Sequence, residues 1–167
     1  MNESFQAQKV TSDNQLHQIA DMAEIIWHEH FTPIIGQDQV NYMVEKFQSF
    51  PALKDQLAKG YEYYQLFDNG NFCGYCGIHP ESPRLFLSKL YIKKDFRGRH
   101  LATKSFQFLQ ALCRDRALTT IWLTCNKHNS SSLAVYRHLG FTTTSTQEAD
   151  IGQGYIMDDY IMEYTIK

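Results

Sequence analysis

Long apolar runs are missing from the sequence. A membrane-spanning helix needs about 20 consecutive apolar residues, and polar or charged residues interrupt every apolar stretch of this chain before that length. Residues 1–10 also lack the positively charged segment and the apolar segment that together mark a secretory signal. These two absences predict a cytoplasmic protein with no membrane partner.

Neither sign of charge dominates the chain. It contains 16 Lys and Arg against 18 Asp and Glu, which gives a formal net charge of −2 at pH 7. Proteins that bind nucleic acid through their overall charge are strongly basic. The sequence therefore predicts no nucleic-acid partner, and its basic residues are expected to serve local purposes.

Cysteine is sparse, and the four cysteines do not have the spacing of a metal site. Cys73 and Cys76 are close, but no second pair with zinc-ligand spacing follows them. They lie in a strand-like run, where side chains three residues apart point to opposite faces. The seven histidines include no His-x-x-x-His pair with a nearby carboxylate. We expect reduced, structural thiols and no metal.

What the chain does contain is enough apolar sequence for one sizeable core. It has 167 residues, 43% of them hydrophobic, and no linker or internal repeat divides it. A single domain over residues 1–167 is predicted.

The spacing of apolar residues predicts the secondary structure. Residues 4–10 indicate a first strand. Apolar residues at three- and four-residue spacing then predict helices over residues 14–30, 37–47 and 51–60, with Pro33 and Gly36 ending the first helix.

Strands dominate the rest of the chain. Residues 61–67 and 72–78 form a predicted hairpin, because Asn69-Gly70 supplies the positive φ of a tight turn. The later segments are a strand at 85–92, a helix at 101–116, a strand at 119–124, a helix at 130–139, and strands at 141–147 and 155–166. The strand–helix–strand order after residue 84 predicts two parallel strands joined by a right-handed crossover, and hence an α/β (α+β) fold.

A basic loop lies between the strand at 85–92 and the following helix. Arg97, Gly98 and Arg99 place two cations and a flexible residue before a helix N-terminus, whose free N–H groups attract anions. The alternative is an ordinary solvated surface loop. The pattern favours a phosphate site.

This loop resembles a signature of a known superfamily. Residues 97–102, Arg-Gly-Arg-His-Leu-Ala, are similar to the pyrophosphate-binding signature [Gln/Arg]-x-x-Gly-x-[Gly/Ala] of the GNAT N-acetyltransferases, and Leu-Tyr-Ile precedes them as in that family. His100 stands where the family usually has glycine. A Cβ there is a steric risk if backbone must approach the phosphates, although a helical φ would accommodate it and the imidazole would add a donor.

A second segment strengthens the resemblance. Residues 126–141 carry Asn126, Asn129, Tyr136 and Gly140-Phe141 at the family's spacing, with Ser132 in place of its usual alanine. Each residue also has a purely structural alternative: the asparagines as caps and turn formers, and Tyr136 as a half-buried core residue.

The resemblance implies a fold and an activity. The family fold is a mixed, largely antiparallel sheet of six to seven strands, with a bulged, splayed central strand and about four flanking helices. The implied activity is direct acetyl transfer from acetyl-CoA to a primary amine, with Tyr136 as general acid. The residues that the resemblance assigns to acetyl-CoA are Leu90, Tyr91, Ile92, Arg97, Gly98, Arg99, His100, Leu101, Ala102, Asn126, Asn129, Ser132 and Tyr136.

The sequence alone assigns neither the general base nor the acceptor. Many relatives carry a glutamate in the strand at 85–92, but here that strand offers Ser88 and Lys89 instead. A water relay, Glu24 or Glu29 are the candidate bases. Residues 31–43 and 157–162 resemble the diamine and polyamine branch of the family, which implies a polyamine as the acceptor. Another small-molecule amine and a peptide amino terminus are the alternative acceptors.

Three further alternatives are kept open. Glu24, Glu29 and Glu45 line a cation-binding groove or simply form a solvated helix face. Cys125 is either a small buried residue or an acyl-accepting thiol, and the first is favoured. Finally, Tyr136 and the paired asparagines favour an enzyme, the alternative is a catalytically silent acyl-CoA-binding regulatory module, and a homodimer is compatible with both.

Overall fold

The computed structural model describes residues 5–167, where the chain forms seven strands and five α-helices. The predicted first strand begins at residue 4, which lies outside the described residues. The strands are β1 (Phe5–Lys9), β2 (Glu62–Asp68), β3 (Asn71–Glu81), β4 (Arg84–Ile92), β5 (Thr120–Asn126), β6 (Thr142–Gly152) and β7 (Tyr155–Thr165). The helices are α1 (Asp13–Ile35), α2 (Gln37–Met43), α3 (Phe50–Ala58), α4 (Leu101–Asp115) and α5 (Ser130–Leu139).

All seven strands form one sheet, in the order β1-β2-β3-β4-β5-β7-β6. Every neighbouring pair is antiparallel except β4 and β5, which are parallel and joined through α4. The mixed, largely antiparallel sheet and the parallel crossover are therefore confirmed.

Helices cover both faces of the sheet and produce two hydrophobic cores. On one face α4 and α5 pack through residues such as Leu109 and Leu133, and on the other face α1 to α3 pack through residues such as Ile26 and Leu53. A sheet covered on both faces explains why its central strands are apolar on both sides.

The β2–β3 hairpin turns as the sequence predicts. Asn69 and Gly70 both have positive φ, 51° and 82°, which is the conformation that an Asn-Gly turn favours.

The predicted end of the first helix is wrong. α1 continues past His30 and through Pro33 to Ile35, and the N–H of Gly36 closes it by donating to the Thr32 carbonyl at 2.9 Å. Proline inside a helix removes one backbone donor and crowds the carbonyl four residues earlier, so this turn needs other support. Phe31 and the residues after Pro33 gain contacts with the core, which keeps the final turn helical.

The second predicted helix also changes character before its end. α2 ends at Met43, and the chain continues as a π-helical turn, Val44–Gln48. This turn places the side chain of Gln48 in the core, where its Oε1 accepts a hydrogen bond from the Tyr75 hydroxyl at 2.9 Å.

The expectation that Cys73 and Cys76 face opposite sides of the sheet is wrong. The register between β2 and β3 shifts, so that Cys73 is an extra residue beside Gly74, and both thiols enter the same core. Both are free and buried, and burial raises their pKa values to about 11 for Cys73 and about 12 for Cys76. They are unreactive structural thiols, as predicted.

The central strand β4 is bulged and splayed, as the resemblance implies. Gly77 of β3 pairs with Lys89 while Ile78 pairs with Leu87, which leaves Ser88 as the extra residue of a bulge. On its other side, the pairing of β4 with β5 ends at Phe86 and Trp122 within the part of the chain that the structure describes. Beyond that point the two strands separate and open a cleft in the sheet.

In residues 5–167, no helix has the length and apolar character that crossing a membrane requires.

Candidate active site

Two cavities occupy the cleft between β4 and β5. The larger one, which we call the outer groove, has a volume of about 540 Å³ and runs between the end of β4, the loop before α4, and α5. The smaller one, the inner pocket, has a volume of about 100 Å³ and lies between β4, β5, β7 and the helices α1 and α2.

The two cavities meet at four residues. The side chains or backbone of these residues line both spaces, and they are Leu90, Tyr91, Ser132 and Tyr136. All four belong to the predicted site. A ligand in the outer groove and another in the inner pocket would therefore touch each other here.

The outer groove gathers most of the predicted residues. Those that line it are Leu90, Tyr91, Ile92, Arg97, Gly98, His100, Leu101, Ala102, Ser132 and Tyr136. The loop is exposed, as the surface-loop alternative required, but it also forms one wall of this groove.

The loop conformation presents backbone donors to the groove. Gly98 has a φ of 82° and His100 a φ of 61°, and His100 caps α4 without a side-chain hydrogen bond. The first N–H groups of α4 are thus left without a side-chain acceptor, which is the usual arrangement of an anion site. The Nε of Arg97 donates to the Ile92 carbonyl at 3.1 Å and ties the loop to the end of β4.

The conformation of His100 corrects the sequence interpretation. The residue is helical but left-handed, a conformation that favours glycine because a Cβ crowds the following carbonyl. The family's glycine at this position is therefore explained by backbone geometry as well as by access to a ligand.

Arg99 lies outside the lining of both cavities. Its guanidinium pairs with the Asp68 carboxylate at 3.4 Å and lies over the Phe96 ring, 5.2 Å from the ring centroid. These two contacts of Arg99 stabilise the loop without contributing to either cavity.

Asn126 and Asn129 line the inner pocket and also have structural roles. The Oδ1 of Asn126 accepts from the His128 N–H at 2.8 Å, and the Oδ1 of Asn129 accepts from the Ser132 N–H at 3.4 Å as the cap of α5. The Nε2 of His30 also donates to this Asn129 oxygen, at 3.0 Å. Nothing in the sequence pattern indicated His30, because its partner lies on a distant element.

Tyr136 is held at the junction by its neighbours. Its ring packs edge-on against Phe141 at 5.6 Å, and burial raises the pKa of its hydroxyl above the ordinary value. The hydroxyl is therefore protonated at neutral pH and can act as a proton donor.

Aromatic rings form one wall of the inner pocket. The centroid of Tyr91 lies 5.6 Å from that of Trp27 and 6.1 Å from that of Phe31, and all three residues line the pocket. Such a wall accepts apolar groups and, through the ring faces, cations.

Two charged side chains also line the inner pocket. Asp159 is 3% exposed, and burial, followed by the neighbouring charge of Asp158, raises its pKa to about 6. Lys89 donates to Ser88 Oγ at 2.8 Å and to Gln56 Oε1 at 3.3 Å, and burial lowers its pKa to about 8.

The sequence singled out Lys89, which stands in the strand where the family usually has a glutamate. It did not single out Asp159, because Asp158 and Asp159 are adjacent and chemically identical. The two carboxylates look alike until the strand register assigns them to opposite faces.

The candidate bases on the first helix are wrong. Glu24, Glu29 and also Glu45 are exposed and lie outside both cavities, so the alternative of a solvated helix face is correct for them. Cys125 does line the inner pocket, but burial raises its pKa to about 12, which keeps it a thiol.

No cluster of three or more His, Cys, Asp or Glu residues that could hold a metal ion occurs between residues 5 and 167.

Comparison with known proteins agrees with this architecture. The sequence model of the acetyltransferase (GNAT) family matches residues 19–141. An uncharacterized N-acetyltransferase from the pepI 3′ region of Lactobacillus delbrueckii subsp. lactis is 23% identical over 155 residues, which cover 85% of this chain and 87% of that protein.

Solved structures extend the agreement to nearly the whole chain. The PaiA N-acetyltransferase of Thermoplasma acidophilum, in complex with coenzyme A, superposes with a TM-score of 0.81 at 16% identity, over 97% of this chain and 99% of that one. A chimera of the Vibrio cholerae spermidine N-acetyltransferase SpeG with hSSAT gives 0.73 at 13% identity, over 98% and 96%. At these identities the likeness establishes the fold.

Proposed function

The chain belongs to the GNAT acetyltransferase family, and from this membership we propose that it transfers the acetyl group of acetyl-CoA directly to a primary amine. One observation carries the proposal: Tyr136 lies where the outer groove meets the inner pocket, beside the open edge of β4. This arrangement gives one cavity to each of two substrates and a proton donor to the point of contact.

The outer groove suits the chemistry of acetyl-CoA. A pyrophosphate needs N–H donors and positive charge, which Arg97, Gly98, His100 and the start of α4 at Leu101 offer. The pantetheine arm is a chain of amides, and the backbone of residues 90–92 has hydrogen-bonding groups that β5 does not use. Ser132 and Tyr136 complete the opposite wall.

Acetyl-CoA supplies an activated acetyl group with a thiolate as leaving group. The residues of this chain have three tasks around it. Free N–H groups of the splayed β4 polarise the acetyl carbonyl. The Tyr136 hydroxyl, which burial keeps protonated, gives a proton to the leaving sulfur. The inner pocket orients the amine toward the acetyl carbon.

The reaction also needs a proton acceptor. An alkylamine with a pKa near 10.4 is neutral in only about one molecule in 2,500 at pH 7. The amine must lose a proton before it attacks, and the acceptor must lie in the inner pocket.

A panel of amines tests the proposal. The protein is incubated with acetyl-CoA and, one at a time, with an alkylamine, a polyamine or a short peptide, and free thiol and acetylated product are measured. We expect amine-dependent thiol release for at least one class. Tight binding of acetyl-CoA without thiol release from any member would contradict the proposal and favour the silent acyl-CoA-binding module.

A further inference from the structure

Asp159 is a buried carboxylate that lacks a protein partner for one of its oxygens. It is 3% exposed, and Oδ1 has no hydrogen-bond partner among residues 5–167. An uncompensated buried carboxylate is costly to a fold, and such groups are normally paired. A ligand that brings a cation or a donor would supply the missing partner.

The neighbouring Asp158, in contrast, is partly exposed and has a cationic partner. It lies on the opposite face of β7, is 41% exposed and pairs with the Nζ of Lys127 at 2.8 Å. The charges that act on Asp159 are those of Asp158 and Lys127, and the charge of Asp159 acts in turn on Cys125 and Tyr91. The one cation of this set, Lys127, is engaged by Asp158.

From this geometry we infer that the inner pocket is the acceptor site, that Asp159 binds the substrate ammonium and takes its proton, and that the pocket selects a singly charged primary amine on an apolar stem. The inference rests on the proposed transfer of acetyl to an amine, and it names the class of amine.

The pocket walls favour an apolar stem. Trp27, Phe31 and Tyr91 offer ring surfaces that attract an ammonium and pack against methylene groups. Met43 and Met157 add apolar surface from α2 and β7. With a volume of about 100 Å³, less than a fifth of that of the outer groove, the inner pocket suits the amine end of a substrate.

A second positive charge near the amine is disfavoured. Asp159 is the only carboxylate in the described lining of the pocket, and the other charged side chain is the cation Lys89. A polyamine would place an additional ammonium near this lysine without a carboxylate to balance it, which costs several-fold in binding.

Every proton of the proposed step has a donor and an acceptor. The ammonium gives one proton to Asp159, and the neutral nitrogen forms the C–N bond as the carbon–sulfur bond breaks. Tyr136 protonates the sulfur, and the proton that the new amide nitrogen loses restores Tyr136 through solvent. Asp159 then releases its proton to water, so that one proton ends on the thiol and one in solution.

The first test compares Asp159→Asn with Asp158→Asn as the matched control. We expect Asp159→Asn to lower kcat/KM for butylamine at least a hundredfold across pH 6 to 9, because general-base steps contribute about that much or more. Asp158→Asn should stay within about threefold of wild type, because Asp158 lies outside both cavities. Acetyl-CoA binding, measured by calorimetry, should be unchanged in both, which also shows that both variants fold.

The second test uses selectivity. Wild type should prefer butylamine to spermidine at least tenfold in kcat/KM, and Lys89→Met, which removes the cation while keeping an apolar stem, should narrow this ratio at least threefold.

The outcomes distinguish failure of this inference from failure of the proposed function. Full activity of Asp159→Asn, or a preference for spermidine, overturns this inference and leaves acetyl transfer to an amine standing. A wild type that binds acetyl-CoA but acetylates no amine overturns both.

Discussion

The Nε2 of His30 lies 3.0 Å from the Oδ1 of Asn129, so that one hydrogen bond joins the last turns of α1 to the cap of α5. The two helices cover opposite faces of the sheet, and the bond crosses the cleft between β4 and β5. Burial is the main influence on His30 and lowers its pKa, which keeps the ring neutral and its Nε2 proton available for Asn129. A side-chain bridge therefore connects the two walls of the cleft.

The first prediction concerns this bridge. His30→Ala should lower the free energy of unfolding by about 1 kcal/mol, the usual worth of one hydrogen bond, and raise KM for acetyl-CoA about three- to tenfold. His28→Ala is the control. This substitution also removes side-chain hydrogen bonds, one to Asn41 at 2.6 Å and one to the Glu24 carbonyl at 2.7 Å, but His28 lines neither cavity. Urea denaturation should give similar losses for both variants, and steady-state kinetics should show a raised KM for His30→Ala alone. An unchanged KM in both would mean that the bridge is only structural.

The second prediction concerns the proton donor. Tyr136→Phe should lower kcat at least tenfold and leave acetyl-CoA binding within about threefold, because only proton donation is lost. Tyr160→Phe is the control, since Tyr160 packs against the same core but lines neither cavity. Equal kcat values for Tyr136→Phe and wild type would remove Tyr136 as the general acid.

The third prediction concerns the left-handed residue before α4. His100→Gly should keep activity and tighten acetyl-CoA binding modestly, and it should not lower stability. Relief of the left-handed strain, about 1 kcal/mol, offsets the 0.5–1 kcal/mol of order that glycine costs.

His100→Ala separates backbone from side chain, because it removes the imidazole but retains the Cβ at a φ of 61°. It should be less stable than His100→Gly in thermal denaturation at pH 6 and pH 8. Acetyl-CoA binding more than tenfold weaker in both variants at both pH values would show that the imidazole itself holds the ligand.

The fourth prediction concerns the stability cost of Asp159. Its pKa in the folded protein, about 6, lies above the ordinary value of an aspartate, so the fold favours the protonated form. The ionised form of Asp159 therefore lowers the free energy of unfolding. This loss of stability is absent below about pH 4, grows between about pH 4 and 6, and is complete above that range. The rise in pKa corresponds to about 3 kcal/mol at most.

Asp159→Asn should therefore be more stable than wild type at pH 8 and equal to it at pH 4, as urea denaturation at the two pH values would show. Asp158→Asn removes only the smaller of the two causes that raise the pKa of Asp159 and breaks an exposed pair with Lys127, so it should gain less than Asp159→Asn at pH 8 and nothing at pH 4. A destabilised Asp159→Asn at pH 8 would mean that the carboxylate has a favourable role in the fold.

Local signals in the sequence predicted what depends on neighbouring residues. The Asn69-Gly70 turn, the apolar spacing of α4 and the loop from Arg97 to His100 follow from short-range chemistry, and the structure has them where they were expected. The same holds for the α5 segment that carries Tyr136.

Features that depend on register or on distant partners could not be predicted in this way. One extra residue in β3 reversed the expected facing of Cys73, and the alternation of β7 decided which of Asp158 and Asp159 entered the pocket. The contact of His30 with Asn129 joins residues 99 positions apart. Each of these needs the three-dimensional pairing of strands and helices before the residue can be recognised.

The separation of β4 from β5 has a consequence for solubility. A strand with an open hydrogen-bonding edge is a template for another chain, and proteins usually protect such edges because they promote aggregation. Here the open edge of residues 87–92 lies in the middle of the sheet, where His30 of α1 and Tyr136 of α5 flank the approach. A narrow, flexible ligand can reach these backbone groups, whereas the broad strand of a second molecule is kept out. The protein thus keeps unpaired backbone hydrogen-bonding groups in the interior of the sheet. The same groups on an outer strand would promote aggregation.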